Sequence, residues 1–181
     1  MTVTMIGFGH KRMRGKDEAA KYVVETFPGF RKDLFAASLK EACACIFNLT
    51  DAQLYGPLKH VPDVFWDKTP REIMQKVGTE AMRHAFGEDI WVRTFMRRRQ
   101  LHDKRPVISD VRFKSEADAI HYAGGAVIRV DRYLPVDAKI DKHASETDLD
   151  DWHRWDHVID NNGTLEELYQ KVHHIVEKIL L

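Results

Sequence analysis

Val3-Thr4-Met5-Ile6-Gly7-Phe8-Gly9-His10-Lys11-Arg12-Met13-Arg14-Gly15-Lys16-Asp17 opens as a strand and closes as the first turn of a helix. Val3–Phe8 is a short apolar run containing β-branched residues, the pattern of a buried strand. Gly7, Gly9 and Gly15 punctuate a loop. From Lys16 to Glu25 the period turns helical, and Ala19, Ala20, Val23 and Val24 make one small apolar face. Strand, glycine-rich loop and helix in that order place a helix N-terminus, with its unpaired N–H groups, at the carboxyl end of a strand.

Working outward, Pro28-Gly29 breaks the first helix and Phe30–Arg31 begins a second short strand. Asp33–Phe47 reads as a helix, with Leu34, Ala37, Leu39, Ala42 and Ile46 on its apolar positions. Thr69 caps a helix over Arg71–Phe86, with Pro70 at its first position, and Gly87 ends it. Asp89–Leu101 is a further helix. Pro106–Ser109 is a strand running into Asp110, Ser115–Tyr122 a helix capped by Ser115, Ala126–Val130 a strand, and His157–Asp160 a last short strand. Thr164 caps a long C-terminal helix to Leu180. Strands that are apolar without alternation, separated by helices, predict an α/β domain with a parallel sheet covered on both faces.

Composition excludes several classes. The 181 residues carry 28 Lys+Arg and 28 Asp+Glu, so charge acts here through local placement, and a general binder of polymeric nucleic acid would show a basic excess. At 44% hydrophobic and 31% charged, neither disorder nor a membrane protein is expected. No apolar run approaches the ~20 residues of a membrane span, and Met1–Phe8 is too short for a signal peptide. Cys43 and Cys45 stand two apart on a predicted helix, so their side chains diverge; two buried thiols in a reducing cytoplasm are expected over a disulfide or a metal pair.

The loop from His10 to Asp17 resembles the phosphate-binding pattern G-x-x-x-x-G-K-[ST] at Gly15 and Lys16. His10 stands where the first glycine belongs, and Asp17 where Ser or Thr usually meets magnesium. The physics still favours phosphate, because a helix N-terminus attracts anions and Lys16 can reach phosphate oxygens. Lys11, Arg12 and Arg14 add charge to the same cup, and Asp17 offers a hard oxygen ligand for Mg²⁺. The alternative is a basic turn in which Asp17 simply favours the first helical turn.

Further blocks follow in order: Thr69-Pro70-Arg71-Glu72 with Gln75 and Gly78-Thr79-Glu80; Gly87-Glu88-Asp89-Ile90-Trp91-Val92; Ile108-Ser109-Asp110-Val111-Arg112-Phe113 with Glu116-Ala117-Asp118; Val127–Arg132; Ser145-Glu146-Thr147; and Val158–Thr164. Together with the loop they span nearly the whole chain, and their combination resembles the phage-type deoxynucleoside monophosphate kinases. That resemblance implies a three-layer P-loop kinase sandwich, with about five parallel strands and helices on both faces. It implies a single domain: a core at about 1–50 and 102–181, a helical monophosphate-binding region at about 51–101, and a lid at about 132–155. It also implies ATP and Mg²⁺ as cofactors, a deoxynucleotide as acceptor and small-molecule partners, with a homodimer left open; the expected location is cytoplasmic, the host's cytoplasm if the protein is phage-encoded.

Individual residues acquire expected roles on this basis. Arg112 follows Asp110 past a strand end, where open α/β sheets hold their ligands, and its planar guanidinium suits phosphate; the alternative is a surface pair with Glu116. Asp110 would orient Arg112 or hold magnesium through water, or else cap the strand. Glu116 would meet the acceptor's sugar or orient Arg112. By resemblance, the helix face of Arg71, Gln75, Gly78 and Thr79 binds the acceptor, with Arg71 on its phosphate and Gln75 near its base. Gly78 inside a helix costs about 1 kcal/mol relative to Ala, which a close neighbour would explain. Trp91 would stack on the base or fill the core. Arg132 looks like a lid group closing on ATP phosphates, and Asn161 follows the last strand, where the ATP base would be met. Two other readings stay open: a P-loop kinase for another small acceptor, and a nucleotide-binding regulatory protein without turnover.

Overall fold

The computed structural model describes residues 3–133 and 143–181. Their elements, in chain order, begin with β1 (Ile6–Gly9), α1 (Lys16–Thr26) and β2 (Phe30–Asp33). The helical stretch follows, with α2 (Ala37–Phe47), α3 (Asp51–Leu54), a 3-10 turn (Pro57–His60), α4 (Pro70–Gln75), a π-helical run (Lys76–Arg83), α5 (His84–Phe86) and α6 (Ile90–Arg99). The chain then alternates through β3 (Arg105–Val111), α7 (Lys114–Tyr122), β4 (Ala126–Asp131), α8 (Ala144–Thr147), β5 (His157–Asp160) and α9 (Leu165–Leu180). It divides into two compact units, one taking in Met1–Phe35 and Arg99–Leu181 and the other Ala36–Arg98.

The first unit is built on a five-stranded sheet in the order β2-β3-β1-β4-β5, and every pairing is parallel. It is a three-layer α/β sandwich, as expected. On one face, Ile6, Phe8, Ile128, Val130 and Ile159 pack with Ala19, Ala20 and Val23 of α1 and Leu168, Val172 and Val176 of α9. On the other, a Cβ at Gly7 would stand 2.4 Å from Ile120 Cδ1, so this glycine lets α7 lie close on β1. The central strands β3, β1 and β4 are buried on both faces, which is why they lack alternation, while the edge strands β2 and β5 expose part of one face. β1 is central and its carboxyl end carries the loop into α1.

Local chemistry sets the boundaries. Val3 and Met5 are buried, but ladder pairing starts at Ile6, shortening the strand expected over Val3–Phe8. The helix expected from Asp33 starts at Ala37, because Asp33 ends β2 and its carboxylate accepts the Leu34 N–H. Phe113, not Ser115, stands at the N-cap position of α7, and Glu116 Oε2 accepts the N–H groups of Arg112 and Phe113. A carboxylate in the first turn thus reaches back to the entry of the helix, where a hydroxyl cap was expected. Thr164 and Thr69 cap α9 and α4 as read from the sequence.

The helical unit has its own core of Leu39, Cys43, Leu49, Leu54, Ile73, Met74 and Trp91. A Cβ on Gly78 would lie 2.7 Å from Leu39 Cδ2, so helix packing explains this glycine. The expected helix over Arg71–Phe86 is interrupted by the π-helical run. Its i→i+5 bonding shifts Gly78 and Thr79 around the axis relative to Arg71 and Gln75. Cys43 is buried, and burial pushes its thiol up to about 11. Cys45 is exposed, so only one of the two thiols expected inside is buried. Two residues along a helix turn the side chain to the other side.

Candidate active site

The site is assembled at the carboxyl ends of β1, β3 and β4. Beyond Gly9 the backbone enters the left-handed region at His10 (φ 89°), Met13 (φ 59°) and Gly15 (φ 100°) before α1 begins. Only glycine adopts such angles freely; elsewhere they cost on the order of 1–3 kcal/mol. His10 is held there by its ring. The residue is 8% exposed, Nδ1 donates to Asp131 Oδ1 at 2.6 Å, Nε2 lies 3.6 Å from Asp150, and Trp155 meets the ring edge-on. Burial and the Arg129 charge lower the His10 pKa, with Asp131 opposing. Gly15 has a second reason to be glycine: a Cβ there would sit 2.3 Å from Asn161 Nδ2, which donates to the Arg14 carbonyl at 2.9 Å. Asn161 thereby ties the end of β5 to the loop.

Lys16 is 5% exposed, and its ammonium donates to the Lys11 carbonyl. Burial, then the charge of Arg112, depress its pKa to about 7, against the pull of Glu146, Asp17 and Asp110. A lysine desolvated beside a second cation is a strong attractor for a polyanion. Arg112 meets Glu146 at 2.8 Å, and the same Glu146 Oε2 accepts the backbone N–H of Arg12 at 3.0 Å. The Glu146 side chain is 6% exposed. Lys11 pairs with Asp150 at 2.9 Å.

Asp17 lies at the exposed start of α1, where Oδ1 accepts the Ser109 hydroxyl at 2.7 Å and Lys32 Nζ at 3.2 Å. Its pKa is lowered: burial pulls upward, but those two hydrogen bonds and the charges of Lys32 and Lys16 prevail. A hydroxyl and a carboxylate beside the loop are hard oxygen donors of the kind that could hold Mg²⁺. Lys32 shows that a cation already stabilises this carboxylate. Asp110 is engaged through Oδ1, which accepts the Phe35 N–H at 2.9 Å. Among the described residues no cluster of three or more His, Cys, Asp or Glu forms a protein-only metal cage.

The structure therefore brings His10, Lys11, Arg12, Arg14, Gly15, Lys16, Asp17, Asp110, Arg112, Glu116 and Asn161 into the sheet-based unit around one cup. Arg132 is exposed just past β4. Part of the expected lid, 134–142, lies outside the described residues. Arg71, Gln75, Gly78, Thr79 and Trp91 belong to the helical unit. Arg71, Gln75 and Thr79 are half-buried there, whereas Trp91 is buried and its indole N–H donates to the Gly78 carbonyl at 2.9 Å, the core placement left open above. Sequence reasoning assigned no role to Ser109, Asp131, Glu146, Asp150 or Trp155. For Glu146 and Asp150 the signal was acidity, in the run 148–151 and in the Ser145-Glu146-Thr147 block, opposite a strongly basic loop; Ser109 and Asp131 stood inside the quoted blocks without a role of their own, and Trp155 left no signal.

Comparison with known proteins bears on the family and the fold. The sequence model of the family described as deoxynucleotide monophosphate kinase matches residues 58–172. A protein of Acanthamoeba polyphaga mimivirus, provisionally named as a deoxynucleotide monophosphate kinase, is 38% identical over 185 residues, covering 94% of each chain. Among solved structures, dephospho-CoA kinase from Campylobacter jejuni superposes with a TM-score of 0.52 over 98% of this chain and 97% of that one. At 15% identity this likeness speaks to the fold alone. Among the described residues no helix is long and apolar enough to cross a membrane.

Proposed function

Because this chain belongs to the deoxynucleotide monophosphate kinase family, we propose that it transfers the γ-phosphoryl group of ATP to a deoxynucleoside monophosphate, yielding the diphosphate and ADP. That it is a nucleotide kinase follows from the family; the donor, the acceptor and the residue roles are the proposal. The observation that carries it is the buried Lys16 beside Arg112 at the mouth of a strand–loop–helix turn. A buried cation at a helix N-terminus with a half-buried arginine beside it suits a polyphosphate better than any neutral ligand.

Phosphoryl transfer asks the protein chiefly to position reactants and balance charge. An acceptor phosphate oxygen attacks the γ-phosphorus, and the bond to the β-bridging oxygen breaks. Lys16, the loop amides and Arg112 compensate charge on the transferring group, with Asp110 beside them. Lys11, Arg12, Arg14 and His10 shape the cup, and Arg132 would add a further phosphate contact. Asp17, with Ser109, would hold Mg²⁺, which when bound neutralises phosphate oxygens. Asn161 fixes the loop's carbonyl side close to where a donor base would lie. In the helical unit, Arg71, Gln75 and Thr79 are the residues proposed to recognise the acceptor, and Glu116 sets the backbone that carries Arg112.

The test is a coupled assay of ADP release with dAMP, dGMP, dCMP, dTMP and the ribonucleotides as acceptors. ADP release that requires a deoxynucleoside monophosphate supports the proposal. Release that ignores these acceptors, or that follows only another small molecule, rejects it.

A further inference from the structure

We propose that the Glu146 carboxylate is a built-in stand-in for a nucleotide phosphate, which a polyphosphate must displace in order to bind. The inference rests on reading the loop around Lys16 as a polyphosphate site. Glu146 Oε2 accepts the backbone N–H of Arg12 in the loop at 3.0 Å and forms an ion pair with the Arg112 guanidinium at 2.8 Å. It also lies close enough to Lys16 to oppose the depression of that lysine's pKa. A loop amide and an arginine meeting one carboxylate, with a lysine's charge close by, are the groups that phosphate oxygens use.

The carboxylate is not a surface charge that drifted inward. Its side chain is only 6% exposed, and it comes from α8, distant in sequence from both donors. The neighbouring acids repeat the arrangement around the rim. Asp150 pairs with Lys11 at 2.9 Å and approaches His10 at 3.6 Å, Asp148 accepts the Lys114 N–H at 2.7 Å, and Asp151 pairs with Lys114 Nζ at 2.8 Å. With the cup empty, the buried Lys16 and the half-buried Arg112 repel each other. Glu146 supplies the missing negative charge, so the ligand-free protein holds its cations in place at the expense of affinity.

The experiment titrates inorganic tripolyphosphate, without metal, into the full-length protein and two variants, Glu146→Gln and Glu146→Asp, by calorimetry, with ligand-free thermal unfolding alongside. Displacement predicts that Glu146→Gln binds tripolyphosphate on the order of tenfold more tightly, since one competing charge-assisted contact is gone. It should melt at lower temperature when ligand-free. Glu146→Asp keeps the charge but withdraws the oxygen, and should show a smaller gain in affinity. It keeps the test alive if the glutamine variant folds poorly. Weaker or unchanged tripolyphosphate binding in both variants, with binding intact in the parent protein, would overturn the proposal while leaving the donor-site reading standing. No binding to any of the three proteins would remove both.

Discussion

Charging Lys16 is the step at which nucleotide binding should leave a proton signature. In the ligand-free protein its pKa is lowered to about 7, first by burial and then by Arg112. At pH 8 only about one lysine in eleven then carries its proton, and a bound polyphosphate that restores the pKa toward ~10.4 makes nearly all of them charged. Binding should therefore take up about 0.9 proton per nucleotide at pH 8, about 0.5 at pH 7 and about 0.1 at pH 6. Titrating Mg·ADP calorimetrically in buffers of different ionisation enthalpy measures that number. Lys16→Arg, which stays charged throughout, subtracts protons exchanged by the nucleotide and other groups. Stability shares the linkage. The unfolded chain keeps a proton on Lys16 up to ~10.4 and the folded one only up to about 7, so the ligand-free protein becomes more stable as pH rises between them, by at most about 5 kcal/mol. Equal proton uptake at pH 6 and pH 8, or uptake in Lys16→Arg matching the parent, would refute the reasoning.

Arg112→Lys keeps the charge but loses the planar fork facing Glu146, and turnover should fall by roughly 10–100-fold; steady-state kcat measures it. Gly15→Ala puts a Cβ against Asn161 at a φ of 100° and should lower stability by about 1–3 kcal/mol, read from urea midpoints. Asp17→Asn should raise the Mg²⁺ concentration needed for half-maximal activity by roughly tenfold, with little change in ligand-free Tm, because the side chain is exposed; Mg²⁺ titrations of the rate decide it.

Legibility followed the range of the interactions. The turn from β1 to α1 was readable because an apolar run, three glycines and a helical period are local features, and the Thr69 and Thr164 caps each bond three residues ahead. The expected first glycine at His10 looked like a defect in sequence. The structure gives that residue a glycine-like φ and holds its ring by Asp131, 121 residues away, an arrangement no local pattern encodes. Ser115 read as a cap because hydroxyls often are, yet the helix starts one residue earlier, and Glu116 in its first turn reaches back to the Arg112 and Phe113 amides with a full charge. The π-helical run left no mark in the hydrophobic period, so the shared face of Arg71, Gln75, Gly78 and Thr79 was drawn too regularly. Glu146 was quoted in a block but given no role, because its meaning depends on Arg12 and Arg112 arriving from other elements.

The most direct measurement follows the phosphorus atom itself. The protein is incubated with Mg²⁺, ATP labelled in the γ-position and each deoxynucleoside monophosphate in turn, and the products are separated. The account predicts label in a deoxynucleoside diphosphate, with its formation reduced by orders of magnitude in Lys16→Ala. Label that stays in ATP, or that appears only as inorganic phosphate whichever acceptor is present, would contradict it.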